Sequence, residues 1–315
     1  MEEISQIKGR DIPDVMDASI SILAPLLTKN KAYIQEIPFK TFKYGPTDRH
    51  QLDIYYPLEE NKREKTPVLF FIYGGSFNSG ERNLSAKFGL VYACVGSFFA
   101  RRGILTVIAD YRLAPQFKFP KPVEDIRDAI TWVLENPTSL ESPGSPSPDL
   151  HNLIVMGHSA GATHAATLLF YPNVVPLDSD VRARITGLVL FAGGYDVSAA
   201  VPGTARAKAV EAYWGTLDEA FDHDALSLFN GFLEENLLSL PPIVMVQAAE
   251  EPDYMDAAGK KMRQALTTRL GREQRMIIAE GHNHISVNWV LGIGQGEQWA
   301  QDVADWISKV PKDRI

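Results

Sequence analysis

Along the chain, apolar and polar residues follow two different rhythms. FKTFKY (39–44) and QLDIYY (51–56) alternate with period two, as strands with one buried face do, and the turn-forming GPTDRH between them predicts an antiparallel pair. From residue 67 the apolar runs become continuous: PVLFFIY (67–73), GILTVIA (103–109), NLIVM (152–156), ITGLVLF (185–191), PIVMVQA (242–248) and RMIIAE (275–280). Unbroken runs of this length are what strands covered on both faces of a parallel sheet require. Helical segments fall between most of them, including VEDIRDAITWVLE (123–135), AAGKKMRQALTTRL (257–270) and EQWAQDVADWISKV (297–310). Alternating strands and helices predict an α/β fold with a mostly parallel central sheet and helices on both faces.

Two stretches depart from the alternation. SPGSPSPD (142–149) is so rich in Pro and Ser that it reads as a surface loop. Residues 197–240 exceed what one crossover helix needs. With the amphipathic VMDASISILAPLL (15–27), they are expected to form a small helical lid, drawn from 1–36 and 197–240, on a single domain spanning 1–315.

Composition narrows the chemistry. With 45% hydrophobic and 22% charged residues over 315 positions, the chain can bury a large core. Its formal charge of −8 argues against nucleic acid and anionic membranes, which need clustered Lys and Arg. The single cysteine, Cys94, cannot form an internal disulfide and lies in the apolar LVYACVGSFFA, so it is expected in the core. The charged start MEEISQIKGRD lacks the order of a signal peptide, and no apolar run reaches the roughly 18 residues of a membrane span. A cytoplasmic protein is the expectation.

LIVMGHSAGATHAATLLF (153–170) changes character in its middle, from buried strand to a helix opening in small residues. Between them stands Gly157-His158-Ser159-Ala160-Gly161. A chance G-x-S-x-G in a chain of this length has odds on the order of one in ten, so the motif alone is modest. The flanking strand and helix are the context it demands: a sharp, strained turn that lifts a serine above the sheet edge. Ser159 is therefore the candidate nucleophile.

A serine hydroxyl needs a base and, for the oxyanion it creates, hydrogen-bond donors. Gly74 and Gly75 follow the strand 67–73 directly, where their N–H groups can turn toward a ligand, and the N–H of Ala160 is a third donor. The base is expected after the last strand, at His282 or His284, the two of seven histidines that follow a strand end downstream of Ser159. The acid is expected after the preceding strand, among Glu250, Glu251, Asp253 and Asp256. No metal-ligand spacing or phosphate-cradling glycine loop competes, and neither a cofactor nor a metal is expected.

GHSAG, DYRLAP (110–115) followed by FPKPVEDIRDAITWV, and the glycine pair after the third strand together resemble the α/β-hydrolase superfamily. Within it they are similar to the hormone-sensitive-lipase-like esterases and the neighbouring kynurenine formamidase branch, over about residues 37 to 310. The resemblance implies an α/β-hydrolase fold. Relatives carry H-G-G-G or H-G-G-x where this chain has Tyr73 and Ser76 around the glycine pair, which preserves the backbone donors and alters what holds the loop. The histidine three residues after a glycine points to His284, and Glu251-Pro252 matches the usual placement of the acid, with Asp253 as runner-up.

The implied reaction is acyl transfer through Ser159, His284 and Glu251, with Gly74, Gly75 and Ala160 holding the oxyanion. The expected partner is a small-molecule ester or amide, and the assembly open to it includes a homodimer. Tyr213, Trp214, Phe221 and Phe229 in the lid suggest an apolar pocket. A carboxylesterase leads; an arylformamidase acting on N-formylkynurenine or a relative, and a ligand-binding protein without turnover, are the alternatives.

Overall fold

The computed structural model describes residues 1–58, 65–84 and 90–311. Eight strands, β1 (Phe39–Lys43), β2 (Gln51–Tyr55), β3 (Lys65–Ile72), β4 (Leu105–Ala109), β5 (Ser147–His158), β6 (Ile185–Phe191), β7 (Ile243–Glu250) and β8 (Met276–Asn283), form one sheet in the order β1-β2-β4-β3-β5-β6-β7-β8. The β1–β2 and β2–β4 pairs are antiparallel and the others parallel. The change of rhythm matches this division only in part: β4, β6 and most of β3 are completely buried and β1, at one sheet edge, is largely exposed, but β2 is buried at every position after Gln51, and β8, at the other edge, exposes Ile278 and Glu280 on one face.

Helices cover both faces, as the continuously apolar strands demand. On one side lie α3 (Lys121–Glu135), α4 (Ala160–Phe170) and α6 (Asp253–Leu270); on the other lie α2 (Ala93–Ala100) and α7 (Gln298–Ile307), joined by an Arg102–Gln301 hydrogen bond of 2.7 Å. α7 buries Trp299, Val303 and Ile307 at helical spacing, and Trp299 packs 4.6 Å from Phe191 of β6. Each such side chain contributes about 1.5–3 kcal/mol. Cys94 lies in this core, its thiol pushed up to about 12 by burial.

One expectation is corrected. Residues 147–149 of the Pro/Ser-rich segment are not loop: they begin β5 and pair with Lys65–Pro67, ahead of a register shift at Pro67/Val68. The segments expected to form a lid are helical, with α1 (Ile12–Lys29) in the first and α5 (Ala205–Trp214) in the second. Among the described residues no helix is long and apolar enough to cross a membrane.

Candidate active site

The serine turn is built by crowding. Ser159 leaves β5 at φ 56°, ψ −125°, a conformation costly for any side-chain-bearing residue, and its N–H donates to Phe191 O on β6 at 2.9 Å. What makes the turn fit is Gly161: a Cβ there would lie 2.1 Å from the Ile72 carbonyl of β3, so only glycine lets α4 start this close to the sheet. Ala160 opens α4, where backbone N–H groups have no acceptor within the helix.

Pairing of β3 with β5, Ile72 opposite Gly157, carries the loop after β3 past the serine. A Cβ on Gly74 would stand 2.7 Å from Ser159 Cβ and 3.3 Å from its Oγ. The Gly75 carbonyl is turned into the following turn, accepting from Asn78 and Ser79 N–H. Tyr73 is fully buried and answers how this loop is held. Its hydroxyl donates to Asp110 Oδ1 at 2.7 Å and accepts from Arg49 Nη2 at 2.9 Å, while its carbonyl accepts from Tyr111 OH at 2.8 Å. Burial raises the Tyr73 phenol well above its ordinary value, so the hydroxyl stays protonated and donating. Asp110 and Tyr111 open DYRLAP, and its Arg112 makes a forked ion pair with Asp125 of α3.

The other two side chains come from adjacent strand ends. Across β7 and β8, Glu250 pairs with Asn283, which sets Glu251 beside His284. His284 Nδ1 lies 2.7 Å from Glu251 Oε2, and its Nε2 lies 2.9 Å from Ser159 Oγ. A carboxylate only accepts, so Nδ1 carries the proton and Nε2 accepts from the serine hydroxyl. Glu251 Oε1 also accepts from Ala248 N–H, and both side chains are almost wholly buried.

The neighbouring candidates are placed elsewhere. His282 Nε2–H donates to Gly296 O at 2.7 Å and its Nδ1 accepts from Ser286 Oγ at 2.9 Å. Burial lowers its pKa to about 4, which keeps it neutral. Glu250 and Asp253 are exposed partners of Arg10, and Asp256 pairs with Lys260.

Sequence reasoning missed three contributors. His158, inside the motif itself, lies with its ring 4.8 Å from the His284 ring; burial first, and the repulsion of a protonated His284 second, lower its pKa well below the ordinary value, so it stays neutral. Asn283, between the two histidines, accepts Ile285 and Ser286 N–H on Oδ1, each at 3.0 Å, fixing the turn that carries His284. Its Nδ2 donates at 2.9 Å to Ser19 Oγ on α1, so the amino-terminal helix is tied to the histidine turn. His158 occupies the variable position directly after Gly157, three residues before Gly161, where the motif itself demands no particular side chain; Ser19 gave no signal.

Two cavities meet at Ser159. One, of about 300 Å³, is lined by Gly74, Gly75 and His284 and by Ile12, Met16 and Ile20 of α1. The other, of about 540 Å³, takes in Ala160, Phe77, Val210 and Arg206 of α5, and Tyr254 and Met255 of α6. Both are predominantly apolar. The aromatic residues singled out in the sequence do not line them: Tyr213, Trp214 and Phe229 are buried in packing and Phe221 is exposed. Tyr213 instead stacks on Phe77 with ring centroids 4.4 Å apart, anchoring α5 to the loop after β3.

Sheet order, helix placement and the strand–turn–helix serine define a class, and the chain has the α/β-hydrolase fold. An esterase from Pyrobaculum calidifontis superposes with a TM-score of 0.66 at 22% identity, covering 98% of each chain. The resemblance read from the sequence is borne out at this level. Residues 52–199 match the BD-FAE family. The chain is 29% identical to the kynurenine formamidase of Meyerozyma guilliermondii over 159 residues, 50% of this chain and 53% of that protein. It is 31% identical to the esterase LipI of Mycobacterium tuberculosis over 124 residues, 39% of this chain and 35% of that protein. The chain spans about half the length, or less, of the curated relatives it matches.

Proposed function

We propose that this protein is a serine hydrolase that cleaves small carboxylic esters through an acyl-enzyme. One observation carries the reading: the hydrogen-bond chain from Ser159 Oγ through His284 to Glu251, at 2.9 and 2.7 Å. Ser159 Oγ attacks the ester carbonyl carbon while His284 Nε2 takes its proton; the oxyanion is held by the N–H groups of Gly74, Gly75 and Ala160. The C–O bond to the leaving group then breaks and the imidazolium returns the proton to the departing oxygen. Water, deprotonated by the same histidine, cleaves the acyl-enzyme to a carboxylic acid and restores Ser159. Glu251 holds the tautomer and stabilises the imidazolium; His158, kept neutral, adds no opposing charge.

Because His284 must reach the leaving oxygen, the smaller cavity that it lines takes the alcohol, and the larger cavity beside Ala160 takes the acyl group. Residues 1–36 and 197–240 act as the cap of a single domain. Cys94, free and buried, is compatible with a reducing compartment, and the cytoplasm is the compartment proposed.

A serine-directed organophosphonate should add covalently to Ser159, with p-nitrophenyl acetate and butyrate hydrolysed by the untreated protein; a label elsewhere, or full activity in Ser159→Ala, defeats the reading. The second reading, an arylformamidase, is favoured by the likeness to the Meyerozyma kynurenine formamidase. Rapid turnover of N-formylkynurenine with negligible p-nitrophenyl butyrate hydrolysis would put it first.

A further inference from the structure

The larger cavity holds a charge that acyl transfer does not use. Arg206, in the first turn of α5, lines it together with Ser159 and Ala160. Its guanidinium lies over the Tyr254 ring, 4.0 Å from the centroid, and its one hydrogen bond among the described residues goes to the Asp196 carbonyl at 3.4 Å. No carboxylate of the described residues pairs with it: Asp196 commits its own to Lys261 Nζ and to the Ser198 N–H. A guanidinium has five N–H donors in a fork that matches a carboxylate. Here only one is engaged among the described residues while the side chain lines the cavity, and half-burial, which lowers the pKa of Arg206, makes a cation without a counter-ion costly.

We propose that the larger cavity receives an acyl chain ending in a carboxylate, as in the hemiester of a short dicarboxylic acid, and that Arg206 selects it. This rests on the acyl-transfer reading for the direction of the substrate. The ester carbonyl sits at Ser159 and the chain runs along Val210 and Met255, both apolar. The terminal carboxylate meets the Arg206 fork. Hydrolysis releases the alcohol and a dicarboxylic acid. The opposing charges on this cavity, Asp11 and Asp14, are exposed to solvent. Water and salt screen them, whereas a half-buried arginine is screened much less.

The test compares ethyl hemiesters of succinate through suberate with neutral ethyl esters of the same carbon count, as ratios of kcat/KM. At the chain length that spans the cavity, the wild type prefers the hemiester, and Arg206→Gln lowers that preference about 10- to 100-fold, the range of a hydrogen bond to a charged group. Arg206→Lys retains part of it, keeping the charge without the fork. Calorimetry of the same hemiester with Ser159→Ala reads binding without turnover: it should bind, and adding Arg206→Gln should weaken it by the same factor. An unchanged ratio and unchanged binding overturn the proposal while leaving the esterase reading intact. Loss of all ester turnover with Arg206-dependent hemiester binding would instead sink the esterase reading and keep the anion site. Melting curves confirm that each variant is folded.

Discussion

At the carboxyl edge of the sheet Ser159, Glu251 and His284 are placed by backbone, whereas in residues 1–36 and 197–240 the same cavities are lined by side chains. Ser159 stands where it does because β5 pairs with β3 and β6 and because Gly161 admits the Ile72 carbonyl. Glu251 and His284 meet because Glu250 and Asn283 share a register position. By contrast, α1 reaches the site through the Ser19–Asn283 side-chain pair and an apolar face, and α5 through a ring stack on Phe77. A ladder cannot shift by one residue without turning every side chain to the other face, whereas side-chain contacts exchange one at a time. On the proposed reading the sheet edge carries the chemistry, and residues 1–36 and 197–240 are where substrate choice can vary.

The sharpest break is at the sheet edge. Ser159→Ala and His284→Ala should each lower kcat by at least about 10⁴-fold, and combining them should cost little more, since groups acting as a unit are strongly non-additive. Glu251→Gln should lose about 10⁴-fold through the wrong imidazole tautomer. Steady-state rates on p-nitrophenyl butyrate check all three. A double variant whose loss equals the product of the singles would mean that the two residues do not work together.

Next comes acid. His282 and His164 are buried with pKa values lowered by that burial to about 4 and about 3, from an ordinary value near 6.5. Below pH 6.5 the unfolded chain binds protons that the folded chain refuses, so stability is fully present above that pH and is lost as pH falls toward 4. For His282 the loss is on the order of 3 kcal/mol across the window. Urea denaturation at intervals from pH 7 to pH 4.5 should give a falling midpoint, with a shallower fall in His282→Gln. Equal slopes in the two proteins would remove His282 as a cause.

A smaller effect tests the tie between the two regions. Ser19→Ala leaves Asn283 Nδ2 without its buried acceptor, a cost of about 1–3 kcal/mol if nothing replaces it. Because Asn283 also fixes the His284 turn, kcat should fall about 10-fold with KM little changed, and Ser19→Thr should restore most of it. A change in KM alone would mean that α1 serves the cavity wall and not the histidine.

Legibility followed the same division. All eight strands could be read, β1 and β2 from alternation and the central ones because strands buried on both faces must be continuously apolar, and the serine turn could be read because its crowding admits few residues but glycine. The start of β5 was misread: Pro148 and its serine neighbours carry the composition of a loop, and only pairing with Thr66 makes them strand. Residues 197–240 stand out as excess length, and of the two readings their aromatic residues allow, pocket lining or packing, Tyr213 and Trp214 follow the second, buried in one cluster with Val197, Ala207 and Val210. Ser19 lies 264 positions from the asparagine it binds, and no local pattern encodes that distance. Arg206 sits in a helix with no clear apolar stripe, where one more charge signals nothing.

The smallest predicted effect separates two acids that lie two residues apart. Glu251 is buried, accepts a backbone N–H and faces His284; Asp253 has a side chain 92% exposed and a 3.3 Å contact with Arg10, itself 44% exposed. Pro252 stands between them, ending the turn and leaving Asp253 to open α6. Losing an exposed pair costs less than about 1 kcal/mol, and part of even that is recovered because Arg10 keeps its 2.8 Å contact with Glu250. The negative charge at the first turn of α6 contributes a few tenths of a kcal/mol more, at most about 1. Asp253→Asn should therefore change kcat by less than about twofold and barely move the urea midpoint, in the same assays in which Glu251→Gln is nearly inactive. A loss in Asp253→Asn comparable to that of Glu251→Gln would transfer the acid's role two residues along the chain and undo the claim that register across β7 and β8 selects it.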